Sequence, residues 1–283
     1  MTMRLILRLI HRLPLLSTLA LLVLGPSGAN GVAADPPVRP LRALLITGGT
    51  YHNYEQQKEI LTAGISARAN VEWTVFLENG DFSHKLSIYD NPDWAKGYDV
   101  VVHNECFCDV TDHDFIERIL APHRSGIPAV IVHCTVHTFR KLETDEWREF
   151  LGVTSHQHGR RRPLEVKNLQ PGNPIMKQFP LSWKTVPEEL FAIEKVWPRA
   201  TPLAMAAAED VGQPPYTVRD HIVIWTNTYG KGRVFGTSMA HDNATMQDPV
   251  YLDMVTRGLL WACDKLTDGG QPKPGYGTKT GKP

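Results

Sequence analysis

Residues Ala129–Arg140 have the sequence A-V-I-V-H-C-T-V-H-T-F-R, and the other predicted elements are arranged around them. Its first four residues are small or β-branched and apolar, which predicts a short strand buried on both faces. The apolar run ends at His133, where polar and titratable side chains begin. Ligands of open α/β sheets bind just beyond the carboxyl ends of the parallel strands. We therefore expect His133, Cys134 and His137 at the mouth of a site.

Strands and helices alternate on both sides of this central stretch. Short apolar runs mark the strands, and apolar residues at helical spacing mark the helices. The predicted strands are 42–47, 71–77, 98–103 and 129–132. The predicted helices are 54–68, 146–151 and a segment capped by Thr111 and Asp112 that runs to about 123. This alternation predicts an α/β fold with a doubly wound, mostly parallel sheet.

The second half of the chain is richer in predicted strands. They lie at 163–166, 190–196, 202–207, 221–228 and 233–237. The last two flank the turn Tyr229-Gly230-Lys231-Gly232, which predicts a hairpin. A closing helix is predicted over 251–265. The tail from 267 is rich in Gly, Pro, Lys and Thr, so we expect it to be disordered.

The first 34 residues have the layout of a secretory signal peptide. Arg4, Arg8 and Arg12 precede an apolar run over 13–24, and Val32-Ala33-Ala34 is a suitable cleavage site. The run is too short for a comfortable membrane span, although an uncleaved anchor is the competing interpretation. We expect export, no stable membrane span after cleavage, and a Pro-rich linker over 35–40.

Charge and cysteine content narrow the class of protein further. Lys+Arg and Asp+Glu both total 30, so no net field would steer a nucleic acid to the chain. The four cysteines are too few to be the main source of stability in an exported chain. Cys106 or Cys108 could pair with Cys134 if their strands are neighbours, a choice that the sequence leaves open. It also leaves open the oligomeric state, a homo-oligomer included.

Histidines follow several of the predicted strand ends. His52, His133 and His241 are expected to converge on one pocket, because parallel strands share one carboxyl edge. Glu105 ends another strand and is a candidate catalytic residue. One interpretation is zinc bound by ligands from among His52, His133, His137 and His241, with Glu105 as ligand or base. The other is a set of histidines that hydrogen-bond a polar ligand.

Two other groups could carry chemistry. Cys134 follows a central strand, as the nucleophile of a hydrolase does, with His241 as its base. Val132 and Val136 stand two residues to either side of it, where a nucleophile elbow has glycines, so a packing role is favoured. His156, His158 and the arginines at 160–162 form a basic patch that could bind a carboxylate or sugar hydroxyl groups.

Several motifs together resemble the ThuA-like (trehalose-utilization) family. They are L-L-I-T-G-G-x-x-H-N-Y at 44–54, Y-D-V-V-V-H-N-E at 98–105, the opening stretch at 129–140, P-E-E-L-F at 187–191 and W-T-N-T-Y-G-K-G-R-V-F-G-T-S-M-A-H-D-N at 225–243. The resemblance spans 41–266. It implies a flavodoxin-like fold similar to class I glutamine amidotransferases, without their chemistry, and a role with disaccharides and their keto derivatives. The predicted export signal sets this chain apart from the usual cytoplasmic setting of the family it resembles.

The resemblance also implies site residues in this chain. They are His52, His133, Glu189, Trp225, Tyr229, Arg233 and His241. We therefore predict an exported α/β protein that acts on, or binds, a small carbohydrate, with His133, His241 and Glu105 catalytic. His52, Glu189, Trp225, Tyr229 and Arg233 are the predicted substrate-binding residues. The alternatives are a non-catalytic sugar-binding module and a Cys134-dependent hydrolase.

Overall fold

The computed structural model describes residues 38–208 and 220–278. The predicted signal peptide and the first residues of the predicted linker lie outside these ranges. The described residues form a nine-stranded sheet and a two-stranded sheet. Strands of the large sheet are β1 (Leu41–Gly49), β2 (Val71–Leu77), β3 (Val100–Cys106), β4 (Ala129–Val132), β6 (Arg162–Asn168), β7 (Ser182–Glu188), β9 (Thr201–Ala207), β10 (Asp220–Tyr229) and β11 (Gly232–Thr237). The small sheet pairs β5 (Val153–His158) with β8 (Phe191–Val196).

Helices cover the sheet and connect its strands. They are α1 (Tyr54–Ser66), α2 (His113–Ser125), α3 (Glu146–Leu151), α4 (Asn243–Gln247) and α5 (Pro249–Ala262), with a 3₁₀ helix at His133–His137. Asp112 caps α2 as predicted, because its side chain accepts a hydrogen bond from the amide of Phe115 at 3.0 Å. None of the helices in the described ranges is long and apolar enough to cross a membrane.

The order of the large sheet is β2-β1-β3-β4-β11-β10-β9-β6-β7. The first five of these strands pair in parallel, and the remaining four pair antiparallel. Order 2-1-3-4 is that of a flavodoxin-like, doubly wound sheet, which confirms the predicted fold class. The carboxyl ends of β1, β3, β4 and β11 therefore meet along one side of the sheet, here called the carboxyl edge.

The central parallel strands β1, β3 and β4 are buried on both faces, as their unbroken apolar runs predicted. Leu45 and Val130 pack in one core with α1 and α5, whereas their neighbours Leu44 and Ile131 pack in a second core with α2 and α3. Successive side chains of a strand point to opposite faces, so one short strand contributes to two cores. This double burial holds the strand ends, and the loops that follow them, in fixed positions.

Gly48 lets two loops meet at the carboxyl edge. Its φ is +146°, and a Cβ at this position would lie 1.9 Å from the carbonyl oxygen of Glu78. A side chain would therefore push the end of β1 away from the segment that follows β2. The glycine pair of the first motif is thus explained by close packing of backbone.

The predicted disorder of the tail is wrong for residues 267–278. The backbone amide of Asn70 donates to the carbonyl of Tyr276 at 3.0 Å, and its side-chain amide donates to Gly275 at 3.0 Å. Leu266 and Pro272 form a β-bridge. Composition alone indicated disorder, but these turns are fixed by tertiary hydrogen bonds and by the Tyr276 ring, which packs against the core.

Candidate functional site

Three histidines converge at the carboxyl edge of the large sheet. His52 follows β1, His133 follows β4 and His241 follows β11. The ring centroid of His52 lies 4.9 Å from those of both His133 and His241, which are 5.4 Å from each other. Their planes are nearly perpendicular in pairs, at 79°, 85° and 81°. The structure therefore brings together residues that are far apart in the sequence, as the parallel sheet predicts.

A carboxylate lies against these rings. Glu189 Oε1 is 3.2 Å from Nε2 of His241, and Glu189 Oε2 is 3.9 Å from Nε2 of His133. A fourth histidine, His158 of the basic patch, approaches Glu189 Oε1 at 3.6 Å through Nδ1. We call His52, His133, His241 and Glu189 the histidine cluster.

The hydrogen bonds of His133 determine which of its nitrogens carries the proton. Nδ1 lies 2.7 Å from the carbonyl oxygen of Ser238, and because a carbonyl only accepts, Nδ1 donates. Burial, followed by the neighbouring His52, holds the pKa of His133 well below its ordinary value of 6.5. Nε2 is thus an unprotonated acceptor, and it has no hydrogen-bond partner among the described residues.

His133 occupies a strained backbone position at the end of β4. Its φ of +42° lies in the left-handed region, which a non-glycine residue adopts at a cost of about 1–3 kcal/mol. Strain of this kind is typical of a turn that presents a functional side chain at a strand end. The strained residue here is His133 rather than its neighbour Cys134.

Electrostatics give the cluster two neutral imidazoles, those of His52 and His133, beside an ionised carboxylate. Burial lowers the pKa of His52 to about 4, and the charge of His241 adds to this effect. A hydrogen bond to the backbone of His241 acts in the opposite direction but is outweighed. Burial raises the pKa of Glu189, but its hydrogen bond with His241 and the charges of the nearby histidines outweigh this effect and leave the pKa lowered. At neutral pH the site therefore offers an ionised carboxylate next to imidazole acceptors.

Glu188, which the sequence reasoning missed, shapes the loop that carries His241. Its carboxylate is buried and accepts hydrogen bonds from the backbone amides of His241 at 3.1 Å and Asp242 at 3.5 Å. Ala240 in the same loop has a φ of +80°. Burial raises the pKa of Glu188 in spite of these hydrogen bonds. Adjacent glutamates at the end of β7 thus point different ways, one to the loop and one to the histidine rings.

His137, a predicted zinc ligand, does not join the cluster. Its Nε2 bonds to Ser155 Oγ at 3.0 Å, and its ring stacks on Phe191 with centroids 4.0 Å apart. Phe191 also contacts His133, at 5.0 Å, and therefore lies between the two histidines. Within 38–208 and 220–278, no group of three or more His, Cys, Asp or Glu side chains is arranged to hold a metal ion. Of the four histidines predicted as possible zinc ligands, His137 therefore lies apart from the other three.

Glu105 is also separate from the cluster. Its Oε1 accepts from Tyr89 Oη at 3.2 Å and pairs with His103 Nδ1 at 2.7 Å. His103 continues the chain of contacts to His123 of α2, with the Nε2 atoms 3.0 Å apart. Because Glu105 and His103 are two residues apart on β3, both point beneath α2. The structure therefore places Glu105 in a buried pair with His103 rather than with the histidine cluster.

Three predicted substrate-binding residues lie elsewhere. Trp225 is buried, and its Nε1 donates to the carbonyl of Leu151 at 2.7 Å. Tyr229 Oη accepts from Arg124 at 2.8 Å, and the guanidinium of Arg233 stacks on a tryptophan ring at 3.9 Å. β10 runs antiparallel to β11, so their hairpin turn lies at the amino ends of the parallel strands. Tyr229 and Arg233 are thus on the side opposite the histidine cluster.

Cys134 forms a disulfide with Cys106, the residue that ends β3. Of the two partners for Cys134 that the sequence allowed, Cys106 therefore forms the disulfide, and Cys108 and Cys263 are free cysteines. A disulfide sulfur is not a thiolate, and only the thiolate is a nucleophile. The alternative of a Cys134-dependent hydrolase is corrected for this reason.

Comparison with known proteins identifies the family. The family described as ThuA, trehalose utilisation, matches the chain over residues 42–262. The chain belongs to the ThuA family. The match runs from the second residue of β1 to the last residue of α5. It therefore includes every member of the histidine cluster.

Solved structures agree with the fold of this ThuA-family chain. A ThuA-like protein from Parabacteroides merdae is 19% identical, with a TM-score of 0.65, and the match covers 85% of this chain and 97% of that one. A ThuA-like protein from Bacteroides uniformis is 15% identical, with a TM-score of 0.61 and coverages of 84% and 98%. A protein described as a GMP synthase subunit from Thermoplasma acidophilum is 11% identical, with a TM-score of 0.50 and coverages of 80% and 96%. Proteins with curated functions give no match.

The neutral histidines make stability depend on pH. The pKa of His52 is about 4 in the folded chain against 6.5 as its ordinary value, and those of His133 and His137 are also lowered by burial. The unfolded chain therefore binds protons first, so stability falls as pH drops from 6.5 toward 4. His52 alone contributes about 3 kcal/mol to this loss. Urea unfolding between pH 7 and pH 4 should show a free energy of unfolding that falls with pH. In His52→Gln this free energy should fall less steeply with pH. A free energy of unfolding that stays constant over this range would contradict the prediction.

Proposed function

We propose that this ThuA-family protein acts on a carbohydrate, a disaccharide or its keto derivative, at the carboxyl edge of the sheet. The observation that carries the proposal is the buried, unprotonated Nε2 of His133, which has no hydrogen-bond partner among the described residues and faces the carboxylate of Glu189. The description of the family as serving trehalose utilisation supports a sugar as the substrate. A strand-end site in an α/β sheet is also where ligands of such folds bind.

The chemistry that suits the cluster is proton transfer. A keto-sugar carries a weakly acidic C–H next to its carbonyl group, and the neutral imidazole of His133 is the base in the proposal. The proton moves to Nε2, the C–H electron pair moves toward the carbonyl oxygen, and Glu189 stabilises the imidazolium that forms. The ring nitrogens of His52 and His241 hydrogen-bond sugar hydroxyl groups. General base catalysis of this kind contributes about 10²–10⁴-fold to a rate.

Nuclear magnetic resonance of candidate substrates in D₂O tests this function. Trehalose, other disaccharides and their keto derivatives are incubated with the purified protein. The C–H signals next to the carbonyl are followed in the keto derivatives, and conversion is followed in the parent disaccharides. Deuterium incorporation or conversion that depends on His133 is the expected result. Binding without exchange or conversion would favour the non-catalytic sugar-binding module instead. A parallel sample treated with a chelator tests the zinc that the sequence suggested.

We also propose that the chain is exported. The proposal rests on the sequence of the first 34 residues, with arginines at 4, 8 and 12 before an apolar run and a small-residue exit. Expression with the leader in a bacterial host, followed by N-terminal sequencing of the exported fraction, should give a chain that begins near Asp35. A protein that retains Met1 and stays inside the cell would contradict export.

A further inference from the structure

Two exposed aromatic rings stand beside the histidine cluster. Tyr51 is 53% exposed and Phe82 is 37% exposed. Their ring centroids are 5.0 Å apart with an angle of 19° between the planes, so the rings stack on each other. Tyr51 directly precedes His52, and the two ring centroids are 6.5 Å apart. We call Tyr51 and Phe82 the aromatic pair.

The backbone on both sides of the aromatic pair is held in place. Tyr51 lies just before Asn53, whose side chain caps α1 by accepting from the amide of Gln56 at 3.1 Å. The carbonyl of Phe82 accepts from the amide of Asp109 at 2.9 Å. The amide of the next residue, Ser83, donates to a side-chain carboxylate at 2.9 Å. The pair is therefore a preformed surface, which lowers the entropy cost of binding.

Folding does not account for the exposure of these rings. Among the described residues, neither ring belongs to the hydrophobic core clusters. Exposed apolar surface is commonplace when single residues are scattered, as with Leu181, which is 73% exposed. Stacked aromatics at the rim of a polar site are different, because ligand sites combine aromatic faces with a few polar groups that fix orientation.

We propose that Tyr51 and Phe82 bind one ring of a disaccharide whose other ring lies against the histidine cluster. This inference rests on the proposed function and specifies its substrate class further. A pyranose ring has a face of C–H groups that packs on an aromatic ring, while its hydroxyl groups point outward to water. The histidine cluster offers nitrogen and carboxylate groups for the ring that reacts. Phe82 stacks on Tyr51, and the Tyr51 ring lies beside the His52 ring, so the two subsites are next to each other.

Binding measurements by isothermal titration calorimetry test the proposal. The probes are trehalose, maltose, cellobiose and sucrose as disaccharides, with methyl α-glucoside as a single ring. The proteins are the wild type, Tyr51→Ala, Phe82→Ala, the conservative Tyr51→Phe, and Leu181→Ala as a control for loss of an exposed apolar side chain. Each alanine variant of the pair should bind the disaccharide about tenfold more weakly than the wild type.

The single-ring probe separates this inference from the proposed function. Methyl α-glucoside should bind equally well to the wild type and to the alanine variants, because it occupies the histidine subsite alone. Tyr51→Phe and Leu181→Ala should retain the affinity for the disaccharide. Equal disaccharide affinity in the wild type and both alanine variants would overturn the aromatic subsite and leave the proposed function standing. Failure of the wild type to bind any of the four disaccharides would overturn the aromatic subsite, whereas the proposed function is overturned only if the keto derivatives also fail to bind and to exchange.

Discussion

Replacement of His133 by glutamine is expected to lower the turnover of a keto-disaccharide by about 10²–10⁴-fold. Glutamine is close to histidine in size but places its amide nitrogen at the position of Nε2, so the bond from Nδ1 to Ser238 is lost and stability must be measured as well. Glutamine also has no basic nitrogen to replace the Nε2 acceptor that lies 3.9 Å from Glu189. The measurement is kcat and KM by substrate NMR, alongside the unfolding midpoint of each protein.

His113→Gln is the matched control for this variant. His113 lies at the first position of α2, is exposed, and pairs with Glu146 at 2.8 Å, outside the histidine cluster. It should turn over substrate like the wild type. Full activity in His133→Gln, at an unchanged unfolding midpoint, would remove His133 from the chemistry and with it the proposed role of the cluster.

Glu105→Ala is expected to destabilise the fold by about 3–5 kcal/mol, because it leaves one partner of a buried pair without the other. The side chains of Glu105 and His103 are 1% and 0% exposed, and Oε1 also accepts from Tyr89. Urea unfolding at pH 7 measures the change. The loss should appear as a lower midpoint with an unchanged slope, since the surface exposed on unfolding stays the same.

Glu117→Ala provides the comparison for the same substitution at the surface. Glu117 pairs with Arg124, and both side chains are about half exposed, at 51% and 45%. A surface pair of this kind contributes about 1 kcal/mol or less, so the midpoint should move little. A stable Glu105→Ala protein that has lost all turnover would restore Glu105 as a catalytic residue and overturn its structural assignment.

The sequence predicts the parallel half of the fold well because its signals are local. Short apolar runs and helical spacing are properties of neighbouring residues, and the carboxyl-edge rule then groups His52, His133 and His241. Strand β7 is not predicted from the sequence because Lys184 and Pro187 interrupt its apolar residues. A proline of this kind is tolerated in an edge strand, and β7 is the last strand of the sheet.

The errors at the site have geometric causes. His133 and His137 have the spacing of one α-helical face, but their segment is a 3₁₀ helix with about three residues per turn, so residues four apart do not align. Trp225 and Tyr229 are assigned to the site only by the family resemblance, whereas the predicted hairpin already makes their strand antiparallel to β11 and moves its end to the opposite edge. Glu105 does not lie at the cluster because successive side chains of a strand point to opposite faces, and the burial of each face depends on tertiary packing.

The most direct test of the central claim is a crystal structure of the protein soaked with a disaccharide or its keto derivative. If His133 is the base, a sugar oxygen or the reacting carbon should lie within about 3–3.5 Å of His133 Nε2, with the remainder of the ligand extending past His52 toward Tyr51. Glu189 should keep its contact with His241 in that complex. A sugar bound away from the histidine cluster, with His133 Nε2 still lacking a ligand atom, would contradict the account.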